Sequence, residues 1–118
     1  MAHSFVPHMA QVTKEAGIQL VLVRCKNRKY AETPDHEPES MKRYTQDLAR
    51  YLQERRVHFL DYVHVPDIKP GHFAGGDHLN EDGRQAWTDL MIEDLTALLA
   101  GQRAPRELTN FATSRPAE

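Results

Sequence analysis

Two short apolar segments separated by a helix limit what this chain can fold into. Residues 18–23 read Ile-Gln-Leu-Val-Leu-Val, and residues 57–62 read Val-His-Phe-Leu-Asp-Tyr. The first is a near-continuous apolar run, which is typical of a strand covered on both faces, as in a parallel sheet, and the second predicts another, shorter strand. We therefore expect two strands that run in the same direction, because a helical crossover lies between them.

Helical spacing of apolar residues predicts three helices around these strands. The first runs from Ser4 to Gly17, the second covers residues 39–55, and the third follows an N-cap at Asn80 and ends near Ala100. One face of the first helix carries a stripe of spaced apolar residues, namely Phe5, Met9, Val12 and Ala16. The resulting α-β-α-β-α order predicts a three-layer α/β/α fold with a small parallel sheet.

The strand count sets this chain apart from ordinary folds of that class. A doubly wound domain usually contains about five or six strands, whereas only two are predicted here. We therefore expect residues 1–101 to form a partial α/β domain. Residues 102–118 are polar, contain two prolines and show no periodicity, so we expect a disordered tail.

Composition argues against several classes of protein. The chain has 118 residues, with 15 Lys and Arg against 17 Asp and Glu, and this balance does not favour a nucleic-acid partner. No apolar run approaches the roughly 18 residues of a membrane span. No signal-peptide pattern follows Met1, so the chain as it stands is expected to be cytoplasmic, while the compartment of a longer parent protein stays open.

The segment with the clearest chemical character is residues 73–84, which reads Phe-Ala-Gly-Gly-Asp-His-Leu-Asn-Glu-Asp-Gly-Arg. It places His78 in a glycine-bearing loop immediately before a helix. Loops at the carboxyl edge of a parallel sheet are where such folds bind ligands. A histidine in that position is a candidate general base.

The run from His78 to Gly83, followed by Arg84 and an apolar helix, resembles the last conserved block of the SGNH hydrolases, the GDSL-type esterase and acyltransferase superfamily. The resemblance covers roughly residues 5–100 and implies an SGNH or flavodoxin-like fold. It further implies that His78 is the base of a Ser-His-Asp triad for ester hydrolysis or acyl transfer. The implied substrate is a small-molecule ester or an acylated carbohydrate or lipid, and no cofactor is implied.

Two departures from the family pattern shape this expectation. The family aspartate lies three residues before the histidine, where this chain has Gly75, so Asp77 is the nearby carboxylate expected to take its place. The chain also has no Gly-Asp-Ser motif. None of its serines stands at a strand-to-helix turn with a suitable context; they are Ser4, Ser40 and Ser114. We therefore expect this chain to be the carboxyl-terminal half of a domain, without the half that bears the nucleophile.

Two other functions fit the same residues. The chain could be a non-catalytic α/β module that forms a homodimer or binds a partner that completes its sheet. It could instead be a metal-dependent hydrolase, with a metal held among its late histidines and one acid: His64, His72, Asp77 and His78. For His78 itself, an ordinary role in orienting the third helix also stays open.

Overall fold

A computed structural model of the chain describes residues 4–111. Its parallel strands are β1, Val21–Arg24, and β2, His58–Asp61, and a separate hairpin is formed by β3, Phe73–Gly75, and β4, His78–Leu79. Within residues 4–111 the α-helices are α1, Val6–Glu15; α2, Arg28–Glu32; α3, Glu39–Glu54; and α4, Glu81–Leu99. A 3₁₀ turn, Pro70–His72, precedes the hairpin.

The central sheet consists of the two segments that the sequence singles out. β1 and β2 pair in parallel, with Val21 opposite His58 and Arg24 opposite Asp61. Helices α2 and α3 form the crossover between them. The predicted small parallel sheet is therefore confirmed, and its carboxyl ends carry the charged pair Arg24 and Asp61.

Alternation along β1 divides the core into two clusters, because successive side chains of a strand point to opposite faces. One cluster joins the strands to α1 and α3, and it includes Ala10, Leu20, Leu22, Leu52 and Phe59. The other joins them to α4, and it includes Val21, Val23, Leu60, Leu90 and Leu98. Helices α1 and α3 thus share one face of the sheet, and α4 covers the other.

The two segments that carry no hydrophobic periodicity, residues 26–38 and 63–76, contain short regular elements. Helix α2 lies within residues 26–38, where the side chain of Asn27 accepts a hydrogen bond from the backbone N–H of Tyr30 at 2.9 Å. The 3₁₀ turn and β3 lie within residues 63–76. Elements of three to five residues are too short to produce a hydrophobic period, which is why the sequence pattern does not reveal them.

The segment after α4 differs from the disordered tail expected from residue 102. The Asp61 N–H donates to the Arg106 carbonyl at 3.0 Å, and the Leu108 N–H donates to the Phe59 carbonyl at 2.8 Å. Residues 106–108 therefore lie antiparallel along the outer edge of β2. Backbone pairing of this kind satisfies the edge of a strand whatever the polarity of the side chains. Residues 112–118 of the expected tail lie outside the described part of the chain.

Candidate functional site

Asn80 fastens the segment that carries His78 to the start of α4. Its side-chain oxygen accepts a hydrogen bond from the Gly83 N–H at 2.8 Å, which confirms the predicted N-cap. Its side-chain amide donates to the Gly71 carbonyl at 2.7 Å, and its backbone N–H donates to the His72 carbonyl at 2.8 Å. One residue therefore caps the helix and fixes the base of the hairpin.

Gly83 is buried where the first turn of α4 meets the 3₁₀ turn. A Cβ at this position would overlap the carbonyl oxygen of His72 and lie 2.9 Å from its Cβ. Only glycine allows the two backbones to come this close. Glycine destabilises a helix relative to alanine, but at this position it is required for the close packing that positions the hairpin.

Asp77 holds the tip of the hairpin against the carboxyl edge of the sheet. Its Oδ1 accepts a hydrogen bond from the backbone N–H of Arg28, the first residue of α2, at 3.0 Å. Helix α2 follows directly after β1. The loops that leave β1 and β2 are joined as well, because Lys26 Nζ donates to the Val65 carbonyl at 2.6 Å. The hairpin therefore lies beside the loops where α/β folds react with ligands.

His78 is exposed on β4, next to Asp77. Among residues 4–111 its ring makes no hydrogen bond, and the Asp77 carboxylate is bonded to Arg28 instead. The two residues expected to act together are thus neighbours in the chain whose side chains are not joined. The structure leaves the imidazole of His78 accessible to a molecule from outside.

The candidate serines are found on other elements. Ser4 Oγ accepts a hydrogen bond from the Val6 N–H at 3.2 Å, at the start of α1. Ser40 is exposed in the first turn of α3, and Ser114 lies outside the described residues. Neither Ser4 nor Ser40 is hydrogen-bonded to the ring of His78.

The four residues considered for a metal site are not assembled into one. His64 Nε2 donates to Glu37 Oε2 at 2.7 Å, and His72 Nδ1 accepts from the Lys69 N–H at 3.0 Å. Within residues 4–111 no three histidine, cysteine, aspartate or glutamate side chains lie close enough together to hold a metal ion.

A partly buried polar cluster at the carboxyl ends of β1 and β2 was not predicted from the sequence. Arg24 binds both carboxylate oxygens of Asp61, at 3.0 and 3.1 Å, and its Nη1 donates to Glu37 Oε1 and Thr45 Oγ1, each at 2.7 Å. The sequence indicates this cluster only in one respect, which is that Arg24 and Asp61 each stand at the carboxyl end of one of the two parallel strands. The cluster ties β1, β2 and α3 together beneath the loops.

Glu37 is the most deeply buried acid of this cluster, with a side chain only 4% exposed. Burial by itself raises the pKa of a carboxyl group. The hydrogen bonds from Arg24 and His64, together with their charges, outweigh burial and lower the pKa of Glu37 below its ordinary value of 4.5. The carboxylate therefore stays ionised at neutral pH and holds the cluster together.

A buried pair of polar side chains lies at the opposite end of the sheet, where the two strands begin. His58 Nδ1 donates to Glu107 Oε2 at 2.6 Å, and both side chains are 3% exposed. Glu107 also accepts hydrogen bonds from Thr109 Oγ1 at 2.8 Å and from the Ala104 N–H at 3.2 Å. Since every bond of this carboxylate is made within the domain, we assign it a structural role.

Comparison with known proteins leaves the site to be interpreted from its geometry. No family model, curated protein or solved structure matches the chain. No helix within residues 4–111 is both long and apolar enough to cross a membrane.

Proposed function

We propose that this chain is the histidine-bearing part of an SGNH-type hydrolase and that His78 acts as its general base. In this reaction His78 accepts the proton of an attacking hydroxyl group, which forms a bond to the acyl carbon of an ester. The ester C–O bond then breaks, and the proton passes to the departing alcohol. The substrate class is a small-molecule ester or an acylated carbohydrate or lipid.

The observation that carries this proposal is the exposed ring of His78 on a hairpin anchored beside the carboxyl edge of the parallel sheet. The Asp77–Arg28 bond at 3.0 Å and the cap by Asn80 restrict the hairpin on both sides. A general base must be held in position while its ring remains free to meet the nucleophile. We extend the proposal to the fold, with α1 and α3 on one side and α4 on the other as the outer layers of an SGNH domain.

The nucleophile in this proposal is a serine of another polypeptide segment that would complete the sheet, and none of the three serines of this chain takes that role. Asp77 becomes a positioning residue, because its carboxylate is directed to the backbone of α2. A base that lacks its serine and its oxyanion donors gives only slow hydrolysis. We therefore expect the 118-residue chain alone to show a small rate that depends on His78.

The test is hydrolysis of p-nitrophenyl acetate by the wild-type chain, by His78→Ala and by His8→Ala. His8 is an exposed histidine on α1, so its removal controls for the general reactivity of imidazole with this ester. If all seven histidines contributed equally, each variant would lose about one seventh of the rate. We expect His78→Ala to lose more than half of the rate and His8→Ala to lose no more than its share. Equal rates for the two variants would contradict the proposal.

A second candidate function is a non-catalytic module that associates with itself. It is favoured by one observation, the lack of a partner on the outer side of β1 among residues 4–111.

A further inference from the structure

A second imidazole lies at the carboxyl edge of the sheet, on the loop that leaves β2. His64 follows the last residue of β2 by three positions, and its side chain is 50% exposed. Its Nε2 donates a hydrogen bond to Glu37 Oε2 at 2.7 Å. The ring of Tyr30 meets it edge-on, with 6.4 Å between the ring centroids. The ring of His64 is therefore held by its neighbours while half of the side chain remains open to solvent.

Glu37 is itself fixed in the position from which it contacts His64. Its carboxylate is buried, and its second oxygen, Oε1, accepts a hydrogen bond from Arg24 Nη1 at 2.7 Å. Arg24 is held in turn by both carboxylate oxygens of Asp61. A carboxylate that is fixed in this way sets the orientation of the imidazole bonded to it.

The bond to Glu37 also determines which ring nitrogen of His64 carries the proton. Burial raises the pKa of Glu37, but the hydrogen bonds from Arg24 and His64 lower it below its ordinary value. The carboxylate is therefore ionised at neutral pH and can only accept a hydrogen bond, so Nε2 must be protonated. In the neutral ring this leaves the lone pair on Nδ1, which makes no hydrogen bond among residues 4–111. His64 thus presents a proton acceptor with no partner in the described part of the chain.

The two histidines of this edge differ in what orients them. The ring of His78 makes no hydrogen bond within residues 4–111, and the neighbouring Asp77 is bonded to the Arg28 N–H. His64 has a fixed, ionised carboxylate on Nε2. Such a carboxylate holds the correct tautomer and stabilises the imidazolium ion that forms when the ring accepts a proton. Of these two rings, His64 therefore has the more complete environment for acid–base chemistry.

We propose that His64, positioned by Glu37, is a second general base at this edge and acts on water. Nδ1 accepts a proton from a water molecule, whose oxygen forms a bond to the acyl carbon of a small ester. The ester C–O bond then breaks, and the proton on Nδ1 passes to the departing alcohol, so that a carboxylic acid and an alcohol are formed. This reaction rests on the proposed function for its class of substrate, but it requires neither His78 nor a serine.

The first test is hydrolysis of p-nitrophenyl acetate in a His78→Ala background, which removes the base of the proposed function. His64→Gln keeps a side-chain N–H for Glu37 but removes the basic nitrogen. His36→Gln is the matched control, because His36 is exposed in the same loop as Glu37 and its ring makes no hydrogen bond among residues 4–111.

The expected rates follow from the number of histidines. Seven less His78 leaves six, so equal contributions would give each about one sixth of the remaining rate. We expect His64→Gln to lose more than half of that rate and His36→Gln to lose no more than its share. A purely structural role of His64 predicts no such loss, because glutamine preserves the bond to Glu37.

Glu37→Gln tests the positioning role in the same background. Arg24 and His64 both donate to Glu37, whereas glutamine offers one oxygen, and Arg24 can only donate. We expect the glutamine oxygen to face Arg24 and its amide to donate to His64 Nε2, which moves the ring proton to Nδ1. Nitrogen NMR shifts of the ring should show a protonated Nε2 in the wild-type chain and a protonated Nδ1 in the variant. The rate should fall as far as in His64→Gln.

Three results would overturn this proposal: equal rates for His64→Gln and His36→Gln, a wild-type ring that is protonated on Nδ1, or an undiminished rate in a Glu37→Gln chain whose ring proton has moved. Circular dichroism checks that each variant is folded. If Glu37→Gln does not fold, His64→Gln and the wild-type NMR shifts decide the question. None of these results alters the comparison of His78→Ala with His8→Ala, so the failure of either proposal can be recognised separately.

Discussion

His58 Nδ1 lies 2.6 Å from Glu107 Oε2, and this bond joins a strand in the centre of the domain to a segment beyond the last helix. Both side chains are 3% exposed, so the pair is removed from water. A buried carboxylate is tolerated only where hydrogen bonds replace its hydration. The buried pair is therefore stable only while residues 104–109 stay in place, and the pair in turn anchors these residues to β2.

Replacing Glu107 with alanine tests this dependence. The change removes the acceptor of His58 Nδ1, Thr109 Oγ1 and the Ala104 N–H together, and we expect the free energy of unfolding to fall by about 3 kcal/mol. Urea unfolding followed by circular dichroism measures this. Glu54→Ala is the control, because that side chain is 76% exposed, and we expect less than about 0.5 kcal/mol. If Glu107→Ala lost no more unfolding free energy than Glu54→Ala, the pair would not be what holds the segment in place.

The sequence predicts the elements whose pattern is long enough to have a period. α3, α4 and the parallel pairing of β1 with β2 follow from apolar spacing, and the cap at Asn80 follows from its residue type and place. Residues 106–108 escape such reasoning because they pair through backbone groups, which are the same for every side chain. The exposure of the apolar stripe on α1, with Phe5 81% and Val12 48% accessible, escapes it because spacing identifies an apolar face but not what covers it.

The candidate site divides in a similar way. The sequence places His78 just before a helix, but it does not reveal that His78 lies on β4 of a hairpin or that Asp77 bonds to the start of α2, 49 residues away. The cluster around Arg24 is also non-local, since its members come from β1, β2, α3 and the loop before α3. Contacts between residues far apart in the chain depend on how the elements pack.

Gly83→Ala is a test in which local and tertiary effects predict opposite signs. In an exposed helix, alanine would stabilise by about 1 kcal/mol relative to glycine. Here the added Cβ meets the His72 backbone, and we expect the free energy of unfolding to fall by about 2 kcal/mol. We also expect the NMR shifts of residues 72–79 to change. Gly71→Ala is the control, because a Cβ there has nothing within 4 Å; similar small effects in both variants would contradict the close packing.

Two substitutions at Asp77 separate a positioning role from that of a triad acid. Asparagine keeps a side-chain oxygen that can accept the Arg28 N–H, whereas alanine removes it. We expect Asp77→Asn to retain the His78-dependent rate within about twofold and Asp77→Ala to lower it. The measurement is the p-nitrophenyl acetate assay, with rates corrected by His78→Ala. A loss in Asp77→Asn as large as in Asp77→Ala would instead indicate that the charge acts on His78.

Glu37 is expected to make the stability of the domain depend on pH. The pKa of Glu37 is lowered in the folded chain. The ionised carboxylate therefore stabilises the fold at pH values above the ordinary pKa of 4.5, and this stabilisation is lost as the pH falls through the lower pKa of the folded state. We expect Glu37→Gln to be less stable than wild type by about 2 kcal/mol at pH 7. The two unfolding free energies should converge as the pH falls towards about 3, because protonated glutamic acid resembles glutamine. Glu39→Gln, at a side chain 78% exposed, should follow the wild-type curve throughout. A constant difference between Glu37→Gln and wild type down to that pH would show that the charge of Glu37 does not stabilise the cluster.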